Sequence, residues 1–469
     1  MRQFRQVVLW PLQLAPLRAG APLSAHWELL ERAGDGNPWV ELREALDEGS
    51  GAFDERRYRA FMSLLPPAQR FVYGEPKGRG GGPADHPAMR VFRRNDVAKA
   101  RLTFPGRTRT PVTFRVAHVD LCFFAGLDIA VLMLEMHRND LRLDLAQETL
   151  YRFGRAYPTH WDEHGNGGHC LEKVEWLAED GRVLAVSDYE ARTDYLAFVA
   201  EQRAPRFASH WRHLLQPLVP EHSAEKGLIR YRQVEHGRMP LLAYLALDDA
   251  RALTRGDFAR LVLVTAPGAS AALPYSARYL EDFEARHCAD ALWDPQRDAG
   301  PGMRVLSSGQ AIAMVGDAHD SAYVDADRGA LAEFADVYNV LFLLPHLQRA
   351  TLLMLSNRMG DASSRLDRSD QASVERCARL VDDLGWSFAR FTHRDWFDDA
   401  SADAQLRATY RMTTGHLGTD RLYAQVRETL RDLRMMLDTE VLRRQADRLS
   451  VRERLARLSR LWSGARGPA

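Results

Sequence analysis

The feature that most constrains the fold is a segment near the carboxyl end. Residues 420–463 contain neither glycine nor proline. Apolar residues recur there at steps of three and four, which keeps them on one face of a helix: Leu422, Val426, Leu430, Leu433, Leu437 and Val441. At about 1.5 Å per residue, such a helix is on the order of 60 Å long, longer than a compact domain usually needs. The sequence therefore predicts a helical stalk.

The overall charge excludes one class of partner. The chain has 63 basic and 63 acidic side chains, so its formal net charge is zero. A general electrostatic attraction to nucleic acid is therefore absent, and we expect no nucleic-acid partner.

The carboxyl end is locally basic. Residues 440–469 hold eight arginines against Glu440, Asp447 and Glu453. Such a helix suits an anionic membrane surface or an acidic partner. Cations are also favourable at the carboxyl end of any solvated helix. Both interpretations stay open at this point.

Cysteine spacing and apolar runs indicate the compartment. The four cysteines, at positions 122, 170, 288 and 377, form no CxxC pair and no disulfide-like framework. The longest unbroken apolar run, residues 241–247, is far shorter than the roughly 20 residues of a membrane-spanning helix. We expect a cytoplasmic protein that does not cross a membrane, with peripheral attachment to the inner membrane as an option.

The pattern along the chain predicts two parts. Residues 1–330 mix short strands with helices, and residues 331–469 are mainly helical. Predicted strands include 6–14, 70–73, 112–122, 128–137, 241–247 and 261–265. Predicted helices include 25–47, 275–291, 331–358, 373–391, one beginning near Ser401, and 420–463.

One loop concentrates side chains that bind metals. Residues 160–170 contain His160, Asp162, His164, His169 and Cys170. Imidazole, carboxylate and thiolate are transition-metal ligands, and the glycines between them would let a loop fold around an ion. The spacing fits no established zinc pattern, so a polar loop without metal is the alternative.

A second acidic group follows one of the long helices. Asp395, Asp398 and Asp399 lie within five residues. Three carboxylates can hold Mg²⁺ or another divalent cation through water. Asp398 and Asp399 can instead simply favour the amino end of the next helix.

Seven segments together resemble the cytoplasmic part of CorA-like divalent-cation (magnesium) transporters. They are residues 153–158 (FGRAYP), 186–190 (VSDYE), 243–249 (AYLALDD), 339–356 (NVLFLLPHLQRATLLMLS), 388–397 (FARFTHRDWF), 416–428 (HLGTDRLYAQVRE) and 443–446 (RRQA). The resemblance implies an α+β fold, with an α/β/α cytoplasmic domain followed by a long helical stalk. It also implies oligomerisation, because stalks of this family assemble as a ring.

The sequence departs from that family where a membrane helix would follow. The family's Gly-Met-Asn motif is missing, and residues 447–454 read DRLSVRER. Charges at the centre of a membrane helix cost roughly 2.5–3.5 kcal/mol each. We therefore expect a soluble relative without a pore, which acts as a regulatory or binding protein linked to divalent-cation transport. Its partner would be a second copy, through the stalk helix, or a complete CorA-like transporter.

Two other functions remain open. The first is a peripheral membrane protein that docks by its basic carboxyl-terminal helix. The second is a metal-dependent enzyme that uses the loop at 160–170, although no residue pattern indicates a substrate.

Overall fold

A computed structural model describes residues 1–17, 25–32, 34, 36–42, 55–74, 87–106, 110–227, 229–268, 273–294, 296 and 302–464. Within the last helix, side chains are described as far as Arg444 and at Ala446 and Val451.

Fourteen strands among the described residues form one mixed sheet. They are β1 Gln3–Leu14, β2 Trp39–Glu41, β3 Met89–Arg94, β4 Lys99–Thr103, β5 Val112–Phe124, β6 Ile129–Asn139, β7 Lys173–Leu177, β8 Val183–Val186, β9 Val219–Pro220, β10 Arg230–Gln233, β11 Leu241–Leu247, β12 Cys288–Ala289, β13 Arg304–Ser307 and β14 Ala311–Asp317. The order is β12-β13-β14-β11-β1-β6-β5-β4-β7-β8, with β10 and β9 branching from β1, and β3 and β2 from β5. The pairs β11–β14 and β9–β10 are parallel.

Fourteen α-helices accompany the sheet in the described part of the chain. They are α1 His26–Glu31, α2 Glu55–Ser63, α3 Pro66–Tyr73, α4 Leu143–Arg152, α5 Arg192–Gln202, α6 Ser209–Leu215, α7 Arg255–Leu263, α8 Phe283–His287, α9 Ser321–Val324, α10 Ala330–Glu333, α11 Asn339–Ser364, α12 Gln371–Arg394, α13 Ala404–Leu417 and α14 Thr419–Gly464. A π-helical turn, Phe334–Tyr338, joins α10 to α11.

Helices cover the sheet on both faces, which explains why every residue of β11 is buried. On one face, Leu241, Ala243 and Leu245 belong to the same core as Phe258 of α7. On the other face, the Tyr244 ring stacks on Tyr323 with centroids 4.7 Å apart and lies 5.5 Å from the Phe334 ring. The layers are therefore helix, sheet and helix, which confirms the predicted mixed α/β architecture and its long carboxyl-terminal helix.

The chain forms two compact units. The first comprises Met1–Thr351 and Arg394–Thr419, and the second comprises Leu352–His393 and Asp420–Ala469. The predicted boundary between residues 330 and 331 falls within the first unit.

One continuous helix, Ala330–Ser364, is long and apolar enough to cross a membrane. However, 78% of its most apolar window is buried inside the protein, as in the core helix of a globular domain. Among the described residues it is the one helix of this kind.

Four predicted elements are wrong. Residues 70–73 end helix α3, because Pro66 and Pro67 begin that helix. Residues 261–263 end helix α7, whose capping box joins Thr254 and Asp257. Within 275–291, the α-helix is limited to Phe283–His287 and a strand follows. Within 25–47, the helix ends at Glu31 and strand β2 follows, while residues 43–47 lie outside the described residues.

Candidate functional site

The loop at 160–170 does not gather its acidic and imidazole groups around one point. The Asp162 carboxylate accepts hydrogen bonds from the backbone N–H groups of His164 and Asn166, at 2.9 and 2.8 Å, and from the Asn166 side chain at 3.1 Å. These bonds keep the pKa of Asp162 below its usual range. The His164 side chain is exposed and lies 3.8 Å from Glu163. Asp162 and His164 are thus used within the loop itself.

The other two histidines of this loop do meet. The rings of His160 and His169 have centroids 4.9 Å apart and lie edge to face. The His160 ring lies against Gly168, where a Cβ atom would be 2.2 Å from it, so a larger residue at this position would displace the ring. His169 has a left-handed backbone, with φ 63°, and its Nδ1 atom is hydrogen-bonded to the Tyr151 hydroxyl.

The charges around these histidines are positive. Burial and then Arg155 lower the pKa of His169, and His160, Arg152 and Arg238 act in the same direction. A cation would be repelled by the same arginines. The motif at 160–170 did not indicate these positive charges, because Arg238 is distant from the loop in the chain.

Asp395, Asp398 and Asp399 are also separated by their partners. The buried Asp395 carboxylate pairs with Arg394 at 2.8 Å. Asp398 accepts a hydrogen bond from the Trp396 indole at 3.1 Å. Asp399 forms two hydrogen bonds with Arg411, at 2.8 and 2.6 Å. Across the described residues, no three His, Cys, Asp or Glu side chains are grouped so that they could hold a metal ion.

The helix predicted to begin near Ser401 begins three residues later. Helix α13 begins at Ala404, and the Asp403 side chain accepts hydrogen bonds from the N–H groups of Gln405 and Leu406. Ser401 instead donates a hydrogen bond to the Ser63 carbonyl at 2.6 Å. The aspartate nearest the helix start therefore supplies the cap.

The second compact unit has an antiparallel pair of long helices at its centre. Arg434 of α14 pairs with Asp382 of α12 at 2.6 Å, and Arg444 donates to Gln371 at 3.0 Å. The predicted stripe of α14 is buried or half-buried: Leu422, Val426, Leu430, Leu433, Leu437 and Val441.

Both helices also expose apolar side chains away from their packed faces. Trp386 of α12 is 76% exposed, although its neighbours Leu384 and Phe388 are buried. Met435 and Leu442 of α14 are 60% and 65% exposed, and they lie seven residues apart on the side opposite the buried stripe. Exposed apolar patches can mark a surface that associates with another molecule, so these side chains are candidates for such contact. We call Trp386, Met435 and Leu442 the exposed stalk residues.

Comparison with models of known protein families, with curated proteins and with solved structures gives no match to this chain.

Proposed function

We propose that this chain is a regulatory or binding protein of the CorA-like cytoplasmic type, without a pore of its own, that assembles through its carboxyl-terminal helices. The assignment to that type is supported by the resembling segments, such as 153–158 and 388–397. The observation that carries the assembly is the set of exposed stalk residues on α12 and α14.

A second copy of the chain is the occupant that fits this surface best. The stripe formed by Met435 and Leu442 is narrow, as in a helix that packs against another helix. Charges of both signs flank it, including Arg431, Asp432 and Asp438. A surface with both signs can pair acidic with basic groups when it meets its own copy.

Light scattering coupled to size-exclusion chromatography tests this assembly, with and without Mg²⁺. We expect the parent to form an oligomer and Leu442→Glu to shift it toward monomer. Leu196→Glu is the matched control, because Leu196 is also a half-exposed leucine, on α5. A parent that stays monomeric at every concentration would contradict the proposal.

The link to divalent cations rests on the resemblance, and it has its own test. Ligand linkage predicts that a bound cation stabilises the folded protein in proportion to the logarithm of its concentration. Elemental analysis and thermal unfolding with Mg²⁺ measure this directly. A stabilisation by Mg²⁺ that Asp399→Asn removes would support a site at 395–399, and one that His169→Ala removes would support the loop at 160–170.

Attachment to an anionic membrane is the second candidate. Arg444 makes the last described contact of helix α14 with the neighbouring helices. The helix itself continues to Gly464. Val451 lies ten residues after Val441, on the same face of the helix as Leu437 and Val441, yet it is 52% exposed. Five arginines follow Asp447 on this part of the helix, at positions 448, 452, 454, 457 and 460.

Flotation with vesicles separates the two candidates. The membrane proposal predicts that the chain floats with vesicles that contain anionic lipid and not with neutral ones. Deleting residues 447–469 would abolish flotation and leave the oligomer formed through Leu442 intact. Equal flotation of the deleted and parent chains would contradict membrane docking. We place the protein in the cytoplasm, where the four free cysteines stay reduced.

A further inference from the structure

Two arginines face each other across a short backbone bridge in the first unit. Arg155 and Arg238 form an isolated antiparallel bridge. The flanking bonds run from the Ala156 N–H to the Gly237 carbonyl, at 2.7 Å, and from the Met239 N–H to the Gly154 carbonyl, at 2.8 Å. In such a pair the two residues are directly opposite and their side chains leave on the same side. Like charges in this arrangement repel, so it needs an explanation.

Neither guanidinium group has a carboxylate partner among the described residues. Arg155 is only 7% exposed, and its Nε atom has no hydrogen-bond partner there. Its Nη2 atom donates to the Tyr151 carbonyl at 3.1 Å. Arg238 donates from Nη2 to the Val264 carbonyl at 2.6 Å. These neutral acceptors leave both formal positive charges uncompensated.

The core holds Arg155 firmly in this place. Its carbonyl oxygen accepts one hydrogen bond from the Tyr189 hydroxyl, at 2.6 Å, and another from the Trp211 indole, at 2.8 Å. Both donors are buried. These two bonds restrain the backbone that carries the Arg155 side chain.

Side chains with hydroxyl and imidazole groups lie beside the arginine pair. The Arg155 guanidinium carbon lies 5.5 Å from the Tyr151 ring centre, and the Tyr151 hydroxyl bonds to His169. The Tyr157 ring lies against Gly237, the residue before Arg238. His169 is exposed and Tyr151 is half-buried, so the group opens to solvent on their side.

Both arginines stay charged at neutral pH. Burial, and then the charge of Arg155, lower the pKa of Arg238 to about 10. Burial also lowers the pKa of Arg155. An anion between the two groups would offset the repulsion between their charges.

We propose that Arg155 and Arg238 bind a phosphate group, with Tyr151 and His169 as further hydrogen-bond partners. Arginine binds phosphate through two parallel N–H bonds, and an unpaired Nε is one of the donors that this geometry uses. A phosphate monoester carries about two negative charges at neutral pH and so matches two arginines. A carboxylate carries a single charge and would leave one arginine uncompensated.

Calorimetric titration of the full chain tests the site, with inorganic phosphate, adenosine monophosphate and acetate as probes at constant ionic strength. We expect saturable binding of a phosphate probe and none of acetate. Tighter binding of inorganic phosphate would identify the free ion as ligand, and tighter binding of the nucleotide would identify a phosphorylated metabolite. The proposal does not depend on oligomerisation or on divalent cations.

Variants distinguish a binding role from a structural one. Arg155→Gln and Arg238→Gln should each weaken phosphate binding at least tenfold. Because each removes one of two repelling charges, neither should unfold the protein in phosphate-free buffer. Arg304→Gln is the matched control, since Arg304 is equally buried but pairs with Asp290 at 2.9 Å. That variant should lose stability and keep phosphate binding if it folds.

Two results would overturn the proposal. One is the absence of phosphate binding in the folded parent. The other is binding that Arg238→Gln leaves unchanged, with circular dichroism showing that this variant is folded. Thermal unfolding adds a second readout, in which phosphate stabilises the parent more than either glutamine variant. Equal stabilisation of all three would indicate only the general effect of phosphate on protein hydration.

Discussion

The Nε2 atom of His118 lies 3.1 Å from a carboxylate oxygen of Glu135 on the neighbouring strand. Its Nδ1 atom lies 3.2 Å from Asp120. Arg93 pairs with Asp120 at 2.7 Å, and Arg5 pairs with Glu135 at 2.9 Å. The result is a row of alternating charges across four adjacent strands, β3, β5, β6 and β1, with the imidazole between two carboxylates.

This row makes the folded state sensitive to alkaline pH. Burial of His118 opposes its charge, but the two carboxylates outweigh it and raise its pKa from 6.5 to about 9. A raised pKa contributes stability that is complete below 6.5 and is lost as the pH rises through about 9. The shift corresponds to roughly 3 kcal/mol of unfolding free energy at most. Urea unfolding at a series of pH values across this window measures the loss.

Replacing the histidine checks the origin of that loss. His118→Gln should remove most of the decline between pH 6.5 and about 9, because no proton leaves this position. His137→Gln is a control, since burial and Arg5 lower the pKa of His137 and its titration has the opposite sign. A parent whose stability is flat over the window would refute the assignment.

The amino end of α13 provides a second prediction. Asp403→Ala should lower the free energy of unfolding by about 1 kcal/mol, because two backbone N–H groups lose their acceptor. Chemical unfolding of variant and parent measures the difference. Asp438→Ala, at an exposed position inside α14, removes the same group without removing a cap and should change stability by less than about 0.5 kcal/mol. Equal losses would show that Asp403 acts only through its charge.

The elements that the sequence predicts correctly are those defined by a local pattern of apolar residues. The stripe from Leu422 to Val441 defines α14, because each step of three or four depends only on helical geometry. The strand at 241–247 is equally local, since its seven apolar residues are all buried. Where two local signals compete, prediction fails. Residues 261–263 are apolar and short, as a buried strand would be, but the capping box at Thr254 begins a helix before them.

The candidate sites are harder to predict from the sequence, because they depend on partners that are distant in the chain. His160, Asp162, His164 and His169 have the side chains of a metal site, but the sequence does not show that Asp162 bonds within its own loop. It also does not show that arginines surround His169. Arg155 and Arg238 become neighbours only through the bridge between two separate segments. Their pairing follows from tertiary structure, and no local spacing signals it.

A pair of glycines gives predictions of opposite sign. Gly237→Ala would place a Cβ atom 2.5 Å from the Tyr157 ring, so the ring must move and stability should fall by roughly 1–3 kcal/mol. Gly360→Ala meets nothing within 4 Å. Because Gly360 lies inside α11, alanine there should raise stability by roughly 0.5–1 kcal/mol. Thermal or urea unfolding of both variants measures this, and two changes of the same sign would contradict the steric explanation.

The thiols provide the last prediction. Burial raises the pKa of Cys170 to about 12, although Arg155 and Arg152 act in the opposite direction. Burial also raises the pKa of Cys288 to about 12 and that of Cys122 further. Because the thiolate is the reactive form, labelling of these three residues by a disulfide reagent near pH 8 should be on the order of 10³-fold slower in the folded protein than in denaturant. The variant Val451→Cys supplies the exposed reference, since Val451 is 52% exposed. Mass spectrometry of time points assigns each label, and labelling of Cys170 as fast as the reference would mean that the core around Arg155 is open to solvent.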